Sequence, residues 1–336
     1  MLYHARKTPL VIARLAVLAA LGMGCGNDTV APNADSAQLA FVFSDWTAAM
    51  RVELIPGTDA TFNTPDLDGC PFISRDGKTF FMASNRPGGL GGIDIWVATR
   101  TNVNDPWGAP VNVGAPVNSS ANDFCPTLAS DGQRFFFVST RAGGCGGADI
   151  YVTRRLDSGA FEQPQNIGCE VNSAADEASP FPVAESDTRS VLYFSSTRPG
   201  GFAPDTAGTL IGDSDLYMSE IRGTAFARPE LVPGANSSAE DGQPNVRRDA
   251  RELFFFSTRP GTLGLADIYI ARRNSVTESW QDPVNAGPNV NSAAAETRPS
   301  LSWDGTTLYF GSTRPGGEGS TDIYLTTRER LAAASR

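Results

Sequence analysis

The 336-residue sequence predicts an all-β protein, a five-bladed β-propeller of four-stranded antiparallel blades. Three observations carry this. First, the phrase Ser-x-Arg recurs five times, ending at Arg86, Arg141, Arg198, Arg259 and Arg314, each followed by a glycine-rich turn and an aspartate-led strand. The aspartates, Asp94, Asp149, Asp215, Asp267 and Asp322, are 52 to 66 residues apart, the period of an array of supersecondary units. Second, within each unit β-branched and aromatic runs alternate with Asp-Gly and Gly-Gly turns, which makes four short strands joined by hairpins. Third, five residues before each arginine stands an aromatic (Phe81, Phe136, Tyr193, Phe254, Tyr309), and its neighbour is also apolar (Met82, Phe137, Phe194, Phe255, Phe310). Adjacent strand residues point to opposite faces, so both faces of the sheet must be covered. Blades stacked around an axis do this; a sandwich with one wet face does not.

In chain order, residues 1–24 read as an export signal. Arg6 and Lys7 precede an apolar stretch from Leu10 to Leu21 that is too short to span a membrane and ends in small residues. Cys25 then stands as a candidate lipidation site, although Gly22 occupies the position where a lipoprotein box usually has leucine. Residues 25–44 are expected to be a flexible leader, 45–328 the propeller and 329–336 a tail. Each blade opens at a proline (Pro71, Pro126, Pro180, Pro244, Pro299), eight residues after an asparagine (Asn63, Asn118, Asn172, Asn236, Asn291). After Asp322 only one strand remains, so the last blade lacks its fourth. The Trp46-led segment from Asp45 to Gly57 has the character of that missing strand, and pairing it with the last blade would close the ring and hide its edges. Six blades is the alternative count.

The chain has 27 basic and 37 acidic residues, a formal charge of −10. Residues 1–24 hold three basic and no acidic side chains, so their removal leaves −13. Nucleic acid and anionic membrane surfaces are poor partners for such a molecule. The single histidine, His4, leaves with the signal, which excludes Ser-His-Asp and Cys-His catalysis and His-ligated metal sites from the mature protein. No cofactor is expected. Besides Cys25 the cysteines are Cys70, Cys125, Cys145 and Cys169, an even set that leans towards disulfides in an exported chain.

Three residues before each blade-opening proline stands an acid: Asp68, Asp123, Glu177, Asp241 or Glu296. In an antiparallel blade this acid, the arginine and the third-strand aspartate lie at one end. The expectation is five structural ion triplets, Asp68–Arg86–Asp94, Asp123–Arg141–Asp149, Glu177–Arg198–Asp215, Asp241–Arg259–Asp267 and Glu296–Arg314–Asp322. A ring of acids collecting a cation is the competing reading, but an acid paired with arginine is a poor metal ligand. A ligand without five-fold symmetry needs residues that break the repeat. Those breaks cluster at one end: the insertion Gly201 to Asp215, Cys145, and the segment from Cys169. Glu170, Asp205 and Asp213 are therefore the candidate binding residues, and Cys145 and Cys169 are expected to pair. Cys70 and Cys125, at equivalent inner-strand positions of adjacent blades, can pair only if their Cα atoms lie within ~7 Å.

The Ser-x-Arg-Pro-Gly-Gly and Asp-Ile-Tyr phrases, preceded by Asp-Gly and an aromatic pair, resemble the WD40-like β-propeller repeats of TolB-type bacterial envelope proteins over roughly residues 45–328. That resemblance implies a periplasmic or outer-membrane location and a monomer. With no catalytic signature, it points to a non-catalytic propeller that binds an envelope protein, peptidoglycan or glycan at its loop-bearing end, with membrane contact only through a lipid anchor at Cys25. The alternative is a glycoside hydrolase or lyase working with carboxylates alone, which would need acids converging on the channel ~5 to 9.5 Å apart.

Overall fold

The computed structural model describes residues 42–202 and 214–331. The signal 1–24, Cys25, the leader to residue 41, Asp205, Asp213 and residues 332–336 lie outside them. The expected propeller is present, with five blades and not six. The inner strands are Asp68–Ile73, Asp123–Leu128, Glu177–Ala184, Asp241–Val246 and Glu296–Leu301. Each pairs antiparallel with a second strand that ends at the serine of the repeated phrase, and this pairs with a third strand that begins at its aspartate. Ser84 thus faces Asp94 and Ser312 faces Asp322 across one hydrogen-bonded register. Two-residue outer strands complete blades one, two and four, while blade three carries two short outer pieces, Ala225–Phe226 and Glu230–Leu231.

The paired apolar residues of the second strand explain the stacking. Phe81 turns towards blade two, its ring 5.0 Å from that of Phe135, while Met82 packs on the side of blade five with Tyr309 and Ile323. All ten residues of the five pairs are buried. At roughly 1.5–3 kcal/mol for each large apolar side chain removed from water, these seams are the main cohesive contribution between blades.

Closure follows the expected route and extends past it. Met50 and Arg51 pair with Leu325 and Tyr324, supplying the outer strand of blade five. Val42–Phe43 then pairs with Arg330–Leu331, so both the leader and the tail contribute strands beyond the expected limits of 45 and 328. Trp46 is buried against Phe254 of blade four. The Arg328 guanidinium lies 4.5 Å from the Trp46 ring and 3.8 Å from that of Phe43. The same arginine-on-tryptophan contact joins Arg100 to Trp107 and Arg273 to Trp280, at 4.1 Å each. In all three blades the arginine Nε also donates to the carbonyl of the first hairpin, at Gly77, Ala250 or Gly305. The tryptophan ahead of the outer strand is therefore a stacking surface for an arginine that ends the third strand.

Candidate functional site

The expected ion triplets resolve into two separate locks at one end of each blade. The arginine pairs with the inner-strand acid: Arg86–Asp68 at 2.5 Å, Arg141–Asp123 at 2.7 Å, Arg198–Glu177 at 3.0 Å, Arg259–Asp241 at 2.6 Å and Arg314–Glu296 at 3.1 Å. Its Nε donates to the serine two residues earlier, and its planar group lies beside the second- and third-strand rings, as with Arg141 near Phe137 and Tyr151. Among the described residues of blades one, two, four and five, the third-strand aspartate makes no ion pair with it. That carboxylate accepts amides of the glycine-rich turn, from Leu90 in blade one, Cys145 in blade two at 2.5 Å and Leu263 in blade four at 2.6 Å. It also accepts the outer-strand amides Asn112, Asn166 and Asn285. The physical reason is reach: the turn folds back over the aspartate and delivers N–H groups first. Its glycines are needed for close approach to the next blade. A Cβ at Gly91 would lie 1.8 Å from the Ala121 carbonyl oxygen, and one at Gly319 1.9 Å from that of Asp66.

The carboxylates of these locks are therefore occupied. The asymmetric positions lie closer to the axis. Each inner strand is irregular just before its proline, and the preceding residue is left-handed: Cys70 (φ 46°), Cys125 (49°), Ser179 (50°), Gln243 (58°) and Arg298 (57°). Non-glycine residues rarely adopt this region, and its repetition in all five blades turns these side chains onto one central cavity. Sequence reasoning passed over the position, although the signal was there: between an acid and a proline common to all copies stand Cys, Cys, Ser, Gln and Arg. Cys70 and Cys125 form a disulfide across blades one and two, with Cα atoms 4.7 Å apart.

Arg298 is the charged member of this ring. Its backbone amide donates to Gln243 Oε1 at 2.8 Å. Its guanidinium is enclosed by the inner strands, its Nε has no hydrogen-bond partner, and no carboxylate pairs with it among the described residues. Burial alone holds its pKa below the ordinary arginine value. It meets water through a cavity of about 350 Å³ lined also by Gly69, Asn122, Thr140 and Asp176.

The rim of that cavity breaks the repeat as well. The residues directly before the inner-strand acids are Leu67, Asn122, Asp176, Glu240 and Ala295. Their backbones are anchored alike: the amides of Asn122, Asp176, Glu240 and Ala295 each donate to a threonine hydroxyl at 3.1 Å, that of Thr140, Thr197, Thr258 or Thr313. Asp176 and Glu240 thus hold equivalent backbone positions on adjacent blades, and the Asp176 side chain lines the axial cavity. Asp176 is exposed and accepts the Ala148 amide at 2.8 Å with one oxygen. Of the residues expected to bind ligand, Glu170 is exposed on the connection from blade two to blade three, while Asp205 and Asp213 lie outside the described residues. Cys145 and Cys169 are joined, with Cα atoms 5.5 Å apart.

No family model and no curated protein sequence matches the chain. Among solved structures it is similar to an α-L-arabinofuranosidase of Podospora anserina in complex with cellotriose, at 10% identity over 87% of this chain and 98% of that one, TM-score 0.55. A thermostable family-43 glycoside hydrolase aligns at 11% identity over 83% and 94%, TM-score 0.54. The xylan β-1,4-xylosidase from Bacillus halodurans aligns at 14% identity over 82% of this chain and 54% of that one, TM-score 0.54. At these identities the likeness establishes the propeller fold.

These findings correct the family resemblance and what was drawn from it. The chain's architecture matches glycoside-hydrolase propellers rather than specifically the WD40-like repeats of TolB-type envelope proteins. The description as a non-catalytic, protein-binding propeller rested on that resemblance and on the missing histidine, and it does not stand. No histidine follows His4, which removes histidine mechanisms from the propeller, whereas glycoside hydrolysis runs on a pair of carboxylates.

Proposed function

We propose that the protein is a carboxylate-dependent glycoside hydrolase whose working site is the mouth of the axial cavity, with Asp176 and Glu240 as the reacting pair. The observation that carries this reading is the asymmetric rim: of the residues directly before the inner-strand acids only Asp176 and Glu240 are acidic, Asp176 lines the axial cavity, and the ten acids of the repeat are held in the structural locks. In such a reaction one carboxyl protonates the leaving oxygen and the other acts on the anomeric carbon or on a water. Asp176 Oδ1 accepts the Ala148 amide at 2.8 Å, which orients this carboxyl at the cavity. The solved propellers of like fold, an arabinofuranosidase and a xylosidase among them, support a glycan as the substrate. The apolar stretch after Arg6 and Lys7 supports export of the chain, and a glycan outside the cytoplasm is the partner in keeping with that destination.

The test is release of reducing ends from a panel of oligosaccharides by the mature chain and by Asp176→Asn and Glu240→Gln. Loss of one member of the pair should lower kcat by about 10²–10⁴-fold with the fold intact. Turnover that survives both substitutions unchanged would remove the site.

A further inference from the structure

We propose that Arg298 recognises the carboxylate of an acidic sugar unit, a uronate, bound in the axial cavity; the sugar rests on the hydrolase reading above, the anion on Arg298 itself. The buried arginines among the described residues have carboxylate partners: Arg86 has Asp68, Arg247 has Asp249 and Glu252, Arg273 has Glu185, and Arg328 has Glu252, while the half-buried Arg100 donates through Nε to the Gly77 carbonyl instead. Arg298 has none among the described residues, and its Nε is buried without an acceptor. An unpaired enclosed charge is costly in the free protein, and an incoming carboxylate offsets that cost with paired hydrogen bonds of the geometry guanidinium favours.

The surroundings fit an acceptor ligand. Gln243 spends its carbonyl oxygen on the Arg298 amide, which leaves its NH2 group as a donor. Arg298 Nη1 lies over Gly69 of the adjacent blade one, 3.4 Å from where a Cβ there would stand, so the guanidinium leans over the neighbouring inner strand. The cavity above it, about 350 Å³, falls within the ~300–1,000 Å³ of small-molecule sites. Asp176 lines the same cavity, so a uronate held at Arg298 would lie in the chamber that Asp176 borders. In a chain of net charge −13 after loss of residues 1–24, long-range attraction would not bring an anion here, so recognition falls to this one group.

The experiment uses the mature full chain and isothermal titration calorimetry with two probes, a trigalacturonate and the galactose trisaccharide of the same linkage, at fixed ionic strength. The wild type should bind the acidic probe about thirtyfold more tightly, the worth of a charge-assisted contact. In Arg298→Gln the two affinities should fall within about threefold of each other, and Arg298→Lys should recover part of the preference. Thermal unfolding of Arg298→Gln without ligand should be no lower than wild type, because the variant removes an unpaired buried charge, and this shows that the loss of preference is not loss of fold. Equal affinities in the wild type, a preference that survives Arg298→Gln, or inorganic phosphate binding at Arg298 without any uronate preference would each overturn the proposal. Selective uronate binding without cleavage of any glycan would leave it standing and remove the hydrolase reading; cleavage of neutral glycans alone would do the reverse.

Discussion

If each blade end holds two locks rather than one triplet, Arg259 and Asp241 are energetically coupled while Arg259 and Asp267 are not. Arg259 pairs with Asp241 at 2.6 Å, with the arginine side chain 13% exposed and the aspartate fully buried. Its Nε donates to Ser257 at 2.8 Å and its Nη2 to the Ala235 carbonyl at 2.7 Å. Removing one partner of a buried pair costs roughly 3–5 kcal/mol. Asp241 keeps the Ser237 amide and hydroxyl, at 2.6 and 2.8 Å, so Arg259→Met should cost somewhat less, about 2–4 kcal/mol. Asp267→Asn weakens a different set, the Leu263 amide and the Asn285 side chain, each at 2.6 Å. Urea unfolding of the single and double variants, read at constant m, gives the two coupling energies. The expectation is ~1 kcal/mol or more for Arg259 with Asp241, and additivity within ~0.5 kcal/mol for Arg259 with Asp267. A coupling to Asp267 as large as that to Asp241 would restore the triplet and refute the two-lock account.

Two further outcomes follow from the same geometry. Burial pushes the Asp304 carboxyl up, but donors from Ser302 and Thr306 outweigh it and hold the folded pKa below the ordinary value. Its contribution is therefore present above the unfolded value of ~3.9 and lost as pH falls through the lower folded value. Asp304→Asn should flatten the dependence of the urea midpoint on pH between about 5 and 2, and an unchanged slope would contradict this. At the closure, Trp46→Ala empties a buried site against Phe254 and removes one of the rings stacked on Arg328, leaving that of Phe43. It should cost about 3–5 kcal/mol by denaturant unfolding, far more than an exposed leader would allow, and a loss under ~1 kcal/mol would place the closing strand elsewhere.

The fold was legible because its signals are local and repeated. The Ser-x-Arg and aspartate spacing set the hairpins, and the doubled apolar residues, Phe81 with Met82 and Tyr309 with Phe310, required two covered faces. The site was less legible, for two reasons. Length variation points to the insertion before Asp215 and to Glu170, while the asymmetry that reaches the axial cavity is carried by single residues at constant spacing, Asp176 and Arg298. The apparent triplet failed because sequence proximity to one end of a blade does not say which donor arrives first. For Asp94 and Asp149 the donors are the amides of the turn itself.

By itself the chain determined its secondary structure, the number of its repeats and the ring closure through the segment Asp45 to Gly57, all properties written in residue type and spacing. The tertiary structure alone decided which side chains converge. A left-handed residue before each proline turns Cys70, Cys125, Ser179, Gln243 and Arg298 inward from strands more than fifty residues apart in sequence. Convergence at an axis depends on the sum of five blade rotations, and no local pattern encodes that sum.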